Sequence, residues 1–385
     1  MSLKRVCILS FSNLTYDRRV LRQIEAARQE FEVDVIAYGE WTPPEGVRFF
    51  SVKRSDVSPL VKYPLLLGGK FFPGLMDTYF WQKPAYREAL AILKRERYDL
   101  IHANDWDALP VAGKAVAETG AKMLFDAHEY SLAQNAERPW WRFWIMPFRD
   151  VIFHQYGPRA SAMTTVSPGL QDLYREHFGW EMTLIRNVPD YTPVAFRPTD
   201  PQDIKLVHLG GAMPARALKD FIQMVPLLDS RFTLHLILLP VFPQYLAELK
   251  ILAEQTAPGR IIFHEPQLPA KLFNYLTQFD VGIPLIRALH DNYQNMLPNK
   301  FFDFVMAGLG IVVAPLPMMT PYLEQYGNGI AAAEQDYHAV ADVLNALTAG
   351  QVDAFKHASL KMAKEVNAGV EMARLMEMYH KILDL

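Results

Sequence analysis

Lys300 and Asp303 lie three residues apart in the segment from Leu297 to Pro315, which reads LPNKFFDFVMAGLGIVVAP. Pro298 suits the first turn of a helix, and side chains three positions apart share one helix face. On that face, a lysine can bind a diphosphate and an aspartate can accept hydrogen bonds from a ribose diol. The pattern therefore indicates a nucleotide-sugar site, while a solvated ion pair on a surface helix remains the alternative.

A glycine turn follows another apolar run, from Leu206 to Leu209, and continues through Gly210 and Gly211 to Arg216. This pattern predicts a strand, a tight turn and a helix that begins near residue 215. The exposed amides of a helix start and an arginine side chain both favour a bound phosphate. The three spaced glycines of the dinucleotide fingerprint are missing, so a dehydrogenase is disfavoured, and a plain tight turn remains the alternative.

Polar side chains follow two further predicted strands. His128 comes shortly after a strand that contains Leu124, where it can hydrogen-bond a sugar, transfer a proton or serve a structural role. Asp105 and Asp107 follow the strand around Ile101, and their oxygen atoms would suit a metal ion. Because a helix begins directly afterwards, we expect one of these aspartates to cap it, and we expect no metal site.

Short apolar runs alternate with longer amphipathic stretches, as in a parallel sheet with crossover helices. In the first half, this rhythm predicts strands near 4–10, 32–38, 99–103 and 121–126 and helices near 18–30, 82–97 and 107–118. In the second half, it predicts strands near 204–209, 232–239, 260–264, 280–285 and 311–314, again separated by helices. The predicted fold is α/β, with two doubly wound, Rossmann-like domains that face each other across a cleft. A proline-rich hinge, 189–201, would join them, and the ligand is expected at the carboxyl ends of the strands.

Composition narrows the possible functions of this chain. With 385 residues, two domains are expected, and the net charge of -3 provides no electrostatic field for nucleic acid. The single cysteine, Cys7, lies in the first predicted strand and is expected to be a small buried side chain. No apolar run reaches the roughly 20 residues of a membrane-spanning helix, and no secretory signal is recognisable at the start. We therefore expect a cytoplasmic protein.

Taken in order along the chain, these motifs resemble the retaining glycosyltransferases of glycosyltransferase family 4, which have the two-domain GT-B fold. The resemblance covers nearly the whole chain and includes YDRRV at 16–20, HANDWDALP at 102–110, DAHEY at 126–130, TTVSPGL around Ser167, NVPD at 187–190, the turn at 210–216, LPNKFFDFVMAG at 297–308 and a last helix with Glu371. It implies an acceptor-side domain at 1–190, a nucleotide-sugar-binding domain at 191–365 and a helix at 366–385 that packs back on the first domain.

The resemblance also implies a role for each matching position. It implies that the cations Arg216 and Lys300 contact the diphosphate and stabilise its charge as it departs, and that His128 contacts the donor sugar. The implied catalytic residues are therefore Arg216, Lys300 and His128, and the implied donor-binding residues are Gly210, Gly211, Asn295, Met296, Leu297, Asp303, Gln267 and Leu268. Asp303 stands where the family has a glutamate near the ribose, and Asn295 stands where a second glutamate is common. The loop with Gln267 and Leu268 would hold the base.

The implied reaction is transfer of a hexose from a nucleoside diphosphate sugar to a saccharide or lipid-linked acceptor, with retention of configuration and without a metal or a cofactor. The donor would be of the UDP or GDP type, and polysaccharide or glycolipid assembly is the implied setting. Two alternatives remain open. A catalytically weak accessory protein is suggested by Asn295 and Asp303, and a sugar-nucleotide epimerase would use the same fold.

The segment 137–149, ERPWWRFWIMPFR, places aromatic side chains among arginines, a composition that suits a membrane interface. The apolar stretch 63–80 could extend this surface toward a lipid-linked acceptor. We therefore treat 137–149 as a candidate for peripheral contact with the inner face of the cell membrane. The alternative is that these side chains cover the core of the first domain.

Overall fold

The computed structural model describes residues 3–288 and 294–385. The chain divides into two compact units, which are described separately below. The first unit comprises residues 1–186 together with 371–385, and the second comprises residues 187–370. Each unit is built on a parallel sheet with helices between its strands, so the predicted pair of Rossmann-like α/β domains is confirmed.

The first unit contains a seven-stranded sheet with the order β3-β2-β1-β4-β5-β6-β7, and all neighbouring strands are parallel. Its strands are β1 (Arg5–Asn13), β2 (Glu32–Tyr38), β3 (Val47–Val52), β4 (Leu100–Asn104), β5 (Lys122–Ala127), β6 (Ala162–Thr165) and β7 (Thr183–Leu184). The strand order reverses between β1 and β4. In an open parallel sheet, the crevice beyond the strand ends at such a switch point is the place for a ligand.

Helices connect these strands. They are α1 (Arg18–Ala27), α2 (Pro59–Gly69), α3 (Gly74–Phe80), α4 (Pro84–Glu96), α5 (Asp105–Thr119), α6 (Pro139–Trp144), α7 (Met146–Tyr156) and α8 (Pro168–Phe178).

The expectation that an aspartate caps α5 is wrong. Asn104 occupies the N-cap without a side-chain cap bond, and Asp105 is already the first helical residue, with a φ of 66°. The carboxylate of Asp105 instead accepts a hydrogen bond from the backbone of His128, at 3.3 Å.

The second unit contains a six-stranded parallel sheet with the order β10-β9-β8-β11-β12-β13. Its strands are β8 (Ile204–Gly211), β9 (Phe232–Leu239), β10 (Ile261–His264), β11 (Val281–Gly282), β12 (Gly310–Val313) and β13 (Gly329–Ala331). The helices that the structure describes are α9 (Leu218–Met224), α10 (Pro243–Thr256), α11 (Pro269–Leu276), α12 (Asn299–Met306), α13 (Thr320–Tyr326), α14 (Tyr337–Ala346) and α15 (Ala349–Glu365). The central strands are buried on both faces, which explains their nearly continuous apolar sequences.

The last helix, α16 (Ala368–Leu383), returns to the first unit as predicted. Its Tyr379 is fully buried in the cluster that includes Val6 and Ile8 of β1, and its hydroxyl is hydrogen-bonded to His102 Nδ1 at 2.7 Å. Cys7 is also fully buried. Among the described helices, none combines the length and apolar character needed to cross a membrane.

Candidate functional site

The carboxyl end of β8 carries a glycine around which two cations gather. Gly210 has a φ of 156°, and a methyl group built on it would lie 2.9 Å from Arg216 Nη1 and 3.2 Å from Lys300 Nζ. Lys300 is the second residue of α12 and is only 7% exposed. The absence of a side chain at Gly210 therefore lets both positively charged groups approach the same point of the backbone closely. This geometry suits an anion.

The electrostatics of this cluster favour a negative ligand. Burial, together with the nearby Arg216 guanidinium, lowers the pKa of Lys300 to about 7, and Asp303 opposes this change only in part. A lysine with this pKa is held in a site where the nearby carboxylate does not offset burial and the second cation. A bound diphosphate would supply negative charge and restore the ammonium form.

A third group, His208 on β8, lies near the same glycine. Its Nε2 lies 3.7 Å from the position of a methyl group on Gly210. His208 Nδ1 lies 2.8 Å from the carbonyl oxygen of Ile283, so it carries the hydrogen and donates it. Nε2 is then an acceptor, and it has no hydrogen-bond partner among the described residues. Burial and the charge of Lys300 keep the pKa of His208 well below its ordinary value, so the ring is neutral.

The predicted helix beginning near residue 215 is wrong in its position. Residues Pro214–Arg216 form a short 3-10 turn, Ala217 follows with a φ of 50°, and α9 begins only at Leu218. Arg216 thus reaches Gly210 from the connecting turn and not from a helical N-terminus. Arg216 therefore brings its own side-chain charge to Gly210 and is not part of the first turn of α9.

The other predicted donor-binding residues belong to the second unit and are placed here by the elements that they adjoin. Asn295, Met296 and Leu297 precede the N-cap of α12, and Asp303 lies three residues after Lys300 on that helix. Gly211 ends β8. Gln267 and Leu268 follow β10, which is the edge strand two positions from β8 in the sheet. The structure brings together Gly210, Arg216 and Lys300. The roles of all these residues remain predictions.

In the first unit, His128 lies between two carboxylates at the end of β5. Its Nδ1 is 3.2 Å from Asp105 Oδ2, and its Nε2 is 3.1 Å from Asp126 Oδ2. Burial alone lowers the pKa of His128, but the two carboxylates outweigh burial and raise it to about 10. The ring is therefore an imidazolium at neutral pH. It is held as a hydrogen-bond donor and is unsuited to act as a general base.

Asp126 is the centre of the buried network that fixes this histidine. Its two oxygens accept hydrogen bonds from Arg19 at 2.6 and 2.8 Å, from Gln23 at 2.8 Å and from Thr164 at 2.7 Å. Although burial opposes ionisation, Arg19 and His128 keep the pKa of Asp126 well below its ordinary value. The orientation of His128 thus depends on α1, β5 and β6 together.

A pocket of about 240 Å³ opens beside His128. It is lined by Ser10, Phe11, Ser12, Asp105, Trp106, Asp107, His128, Glu129, Ser131 and Gln134. Burial and the neighbouring Asp105 raise the pKa of Asp107 to about 7, against the opposing charges of Lys83 and Arg149. Within residues 3–288 and 294–385, no group of three or more His, Cys, Asp or Glu side chains is arranged to hold a metal ion.

Sequence reasoning missed several of these groups. His208 was part of an apolar strand pattern, and nothing in the spacing distinguished it from a core residue. Arg19 belonged to a quoted motif, but its partner Asp126 lies 107 residues away, so only the fold pairs them. Asp107 was considered as a metal ligand or a cap. A signal was available in HANDWD, since two carboxylates at a strand end rarely remain fully solvated.

Comparisons with known proteins agree with this architecture. Residues 18–190 match the family model described as Glycosyltransferase Family 4. No curated protein matches the sequence significantly. Similar solved structures include HepE from Anabaena in complex with UDP and glucose (TM-score 0.70, 13% identity, covering 98% of this chain and 100% of that chain).

Two further structures show the same likeness. Sucrose-phosphate synthase from Thermosynechococcus elongatus has a TM-score of 0.71 and 12% identity, with 99% of each chain covered. An α,α-trehalose-phosphate synthase (UDP-forming) from Burkholderia vietnamiensis has a TM-score of 0.64 and 11% identity, covering 99% of this chain and 100% of that chain. At these identities the structures establish the fold. The GT-B fold is confirmed, and the family model supports the resemblance to glycosyltransferase family 4 over residues 18–190.

Proposed function

We propose that this chain, which has the GT-B fold and matches glycosyltransferase family 4 over residues 18–190, transfers a hexose from a nucleoside diphosphate sugar to a hydroxyl of a saccharide or lipid-linked acceptor. The transfer proceeds with retention of the anomeric configuration and without a divalent metal. The observation that carries this proposal is the convergence of Arg216 and Lys300 on Gly210. In this proposal, the two side chains take the place of a metal ion at the diphosphate.

In the proposed reaction, the bond between the anomeric carbon and the diphosphate oxygen breaks as the acceptor oxygen attacks from the same face. The acceptor proton passes to the departing phosphate oxygen, so no enzyme base is required. Negative charge grows on the leaving diphosphate, and Arg216 and Lys300 stabilise it. His128 is the proposed contact to the donor sugar; because its two N–H groups already face Asp105 and Asp126, it would donate to the sugar by releasing Asp105, the more exposed of these carboxylates.

Alanine variants test the proposed role of the cations. Arg216→Ala or Lys300→Ala should each reduce hexose transfer by about 10²–10³-fold, the usual cost of removing one group that stabilises developing charge. Arg197→Ala and Lys250→Ala, which change exposed residues of the same unit, serve as matched controls. Circular dichroism and thermal unfolding would show that the variants still fold. Wild-type transfer rates in either cation variant would contradict the proposal.

UDP-sugars are the first donors to test, because HepE was crystallised with UDP and glucose and the trehalose-phosphate synthase is described as UDP-forming. GDP-sugars follow as the second class. Slow release of the nucleoside diphosphate in the absence of acceptor supports a transferase. An isomerised nucleotide sugar would indicate an epimerase, and tight binding without turnover would indicate an accessory protein.

We also propose that the first unit contacts a membrane surface. An apolar surface is formed by α2, the turn after it and α6. Phe71 and Phe72 in that turn are 76% and 70% exposed. Lys70 Nζ lies 3.0 Å from the ring centre of Phe143, and Lys62 Nζ lies 5.2 Å from that of Trp140. Exposed aromatic rings beside lysines suit an interface that is apolar on one side and anionic on the other.

Liposome sedimentation tests this surface separately from catalysis. The protein should sediment with vesicles that contain phosphatidylglycerol at low salt, and the double variant Phe71→Ser/Phe72→Ser should lose most of this binding. Phe242→Ser, which replaces an exposed phenylalanine of the second unit, is the matched control. Equal sedimentation of wild type and the double variant would remove the surface from the proposal.

A further inference from the structure

The pocket beside His128 is lined by polar and aromatic side chains that have no part in the proposed diphosphate site. Three of its lining side chains, Asp105, Asp107 and Glu129, are carboxylic, and only one, His128, is a cation at neutral pH. The remaining lining groups are two aromatic rings, three serine hydroxyls and the amide of Gln134. These side chains can both accept hydrogen bonds from hydroxyl groups and donate hydrogen bonds to them. They offer little to an anion.

The strand end next to the pocket has unmet hydrogen-bonding capacity. Asn104 is fully buried, and neither its side-chain oxygen nor its side-chain nitrogen has a hydrogen-bond partner among the described residues. It directly precedes Asp105 and pairs in register with Ser10, and both of these line the pocket. A buried amide without partners costs free energy unless a ligand or water satisfies it. The strand end beside the pocket therefore holds polar groups that the described residues do not satisfy.

The two cations near the pocket, Arg149 and Lys83, do not line it. Arg149 is 6% exposed, lies 4.3 Å from the ring centre of Trp106 and donates hydrogen bonds to the carbonyl oxygen of Ser131 and to Gln134 Oε1. Lys83 donates to Tyr86 at 3.0 Å. A ligand in the pocket would meet carboxylic groups first.

We infer that this pocket is the acceptor subsite for an uncharged hydroxylated ring, and that Asp107 selects against phosphorylated acceptors. The inference rests on the proposed function, since it assigns the acceptor of that transfer. A phosphate placed here would meet Asp105, Asp107 and Glu129, while a neutral sugar would donate its hydroxyl hydrogens to them. The aromatic rings of Phe11 and Trp106 offer apolar surface for the carbon face of a ring.

Binding measurements on the intact chain test this assignment without requiring turnover. Methyl glycosides of glucose, galactose, mannose and N-acetylglucosamine, and the 6-phosphates of the first three hexoses, would be titrated while saturation-transfer NMR is recorded. At least one neutral glycoside should bind with a Kd below about 50 mM, and its 6-phosphate counterpart should bind at least about tenfold more weakly. Saturating UDP-glucose should leave the glycoside bound.

Asp107→Asn should reduce the preference for the neutral glycoside by at least about fivefold, because an amide removes the repulsion of phosphate. Glu129→Gln is a second variant with the same expected direction, in case the first does not fold. Asp172→Asn, at an exposed ion pair on α8, is the matched control and should leave the preference unchanged.

Three outcomes would overturn the inference: phosphorylated sugars bind as tightly as neutral ones, Asp107→Asn behaves like Asp172→Asn, or no glycoside binds below about 50 mM. Displacement of the glycoside by UDP-glucose would instead assign the pocket to the donor sugar and would equally overturn it. Failure of the proposed transferase activity is seen independently, as absence of UDP release from UDP-glucose. Glycoside binding can persist in that case, so the two failures are distinguishable.

Discussion

Raising the pH from about 6 to about 8 should weaken the binding of UDP-glucose about tenfold, because Lys300 loses its proton in the unliganded protein. Burial and the adjacent Arg216 lower the pKa of Lys300 to about 7, while Asp303 acts in the opposite direction. His208 is neutral throughout this range, so it contributes no titration. A bound diphosphate would raise the pKa of Lys300 again, and binding would therefore take up a proton.

The magnitude follows from the pKa of about 7. The protonated fraction of Lys300 in the free protein is about 0.9 at pH 6, about 0.5 at pH 7 and about 0.1 at pH 8. If the ammonium form is the one that binds, the apparent Kd equals the intrinsic Kd divided by this fraction. The Kd then rises by a factor of about ten over these two pH units, which corresponds to about 1.4 kcal/mol.

Isothermal titration calorimetry with UDP-glucose, in two buffers of different ionisation enthalpy, measures both the Kd and the proton uptake. About half a proton should be taken up at pH 7 and about 0.9 at pH 8. UDP itself is less suitable, since its terminal phosphate titrates near pH 6. Lys300→Arg is the control, because a guanidinium stays charged and the pH dependence should disappear. A flat profile in the wild type, or an unchanged slope in Lys300→Arg, would refute the reasoning.

Three further predictions concern single residues. Gly210→Ala should weaken donor binding in a folded protein, since the added methyl group would push Arg216 and Lys300 aside, whereas Gly350→Ala, at a position with open space, should bind normally in the same calorimetric assay. Arg19→Ala should lower the free energy of unfolding in urea by about 3–5 kcal/mol because it leaves a buried carboxylate uncompensated, while Arg175→Ala at the surface should cost at most about 1 kcal/mol. NMR titration should find His128 protonated throughout pH 5 to 8, and a midpoint near its ordinary value of 6.5 would contradict the proposed carboxylate clamp.

The sequence predicted the longer strands and the edge strand β10 (Ile261–His264), and it missed the edge strand β3 together with the short strands β6, β7 and β13. The apolar runs Glu32–Tyr38 and Phe232–Leu239 coincide with the observed strands β2 and β9. The strand Val47–Val52 escaped notice because it lies at the edge of its sheet and mixes exposed with buried positions. The two-residue strand Thr183–Leu184 is too short to show any periodicity. Edge strands need less apolar surface, so their sequences carry a weaker signal.

The candidate site was predictable to the extent that its chemistry is local. Arg216 and Lys300 could be singled out, because each follows or begins an element with a recognisable boundary. Their approach to one glycine depends on the order of β8, β11 and β12 in the sheet, which no spacing reveals. The positive φ of Asp105 is also a tertiary effect, since it turns the carboxylate toward His128 and away from the helix start. From local sequence preference alone, the Asp105 carboxylate would be expected to cap the N-terminus of α5.

The buried charges around Asp126 in the first unit and those around Gly210 in the second unit are arranged in opposite ways. This difference bears on function. In the first unit, Asp126 is balanced by Arg19 and His128, so the network is complete without a ligand. In the second unit, two groups of like charge approach the same glycine, and burial together with the charge of Arg216 lowers the pKa of Lys300. Because the unfolded chain would bind the proton more readily, this site alone makes the folded state more stable as the pH rises from about 7 to about 10. The unfavourable positive charge at this site would be offset by a bound anion. Binding of the leaving diphosphate would therefore be favoured by the free energy that the charge costs the unliganded protein.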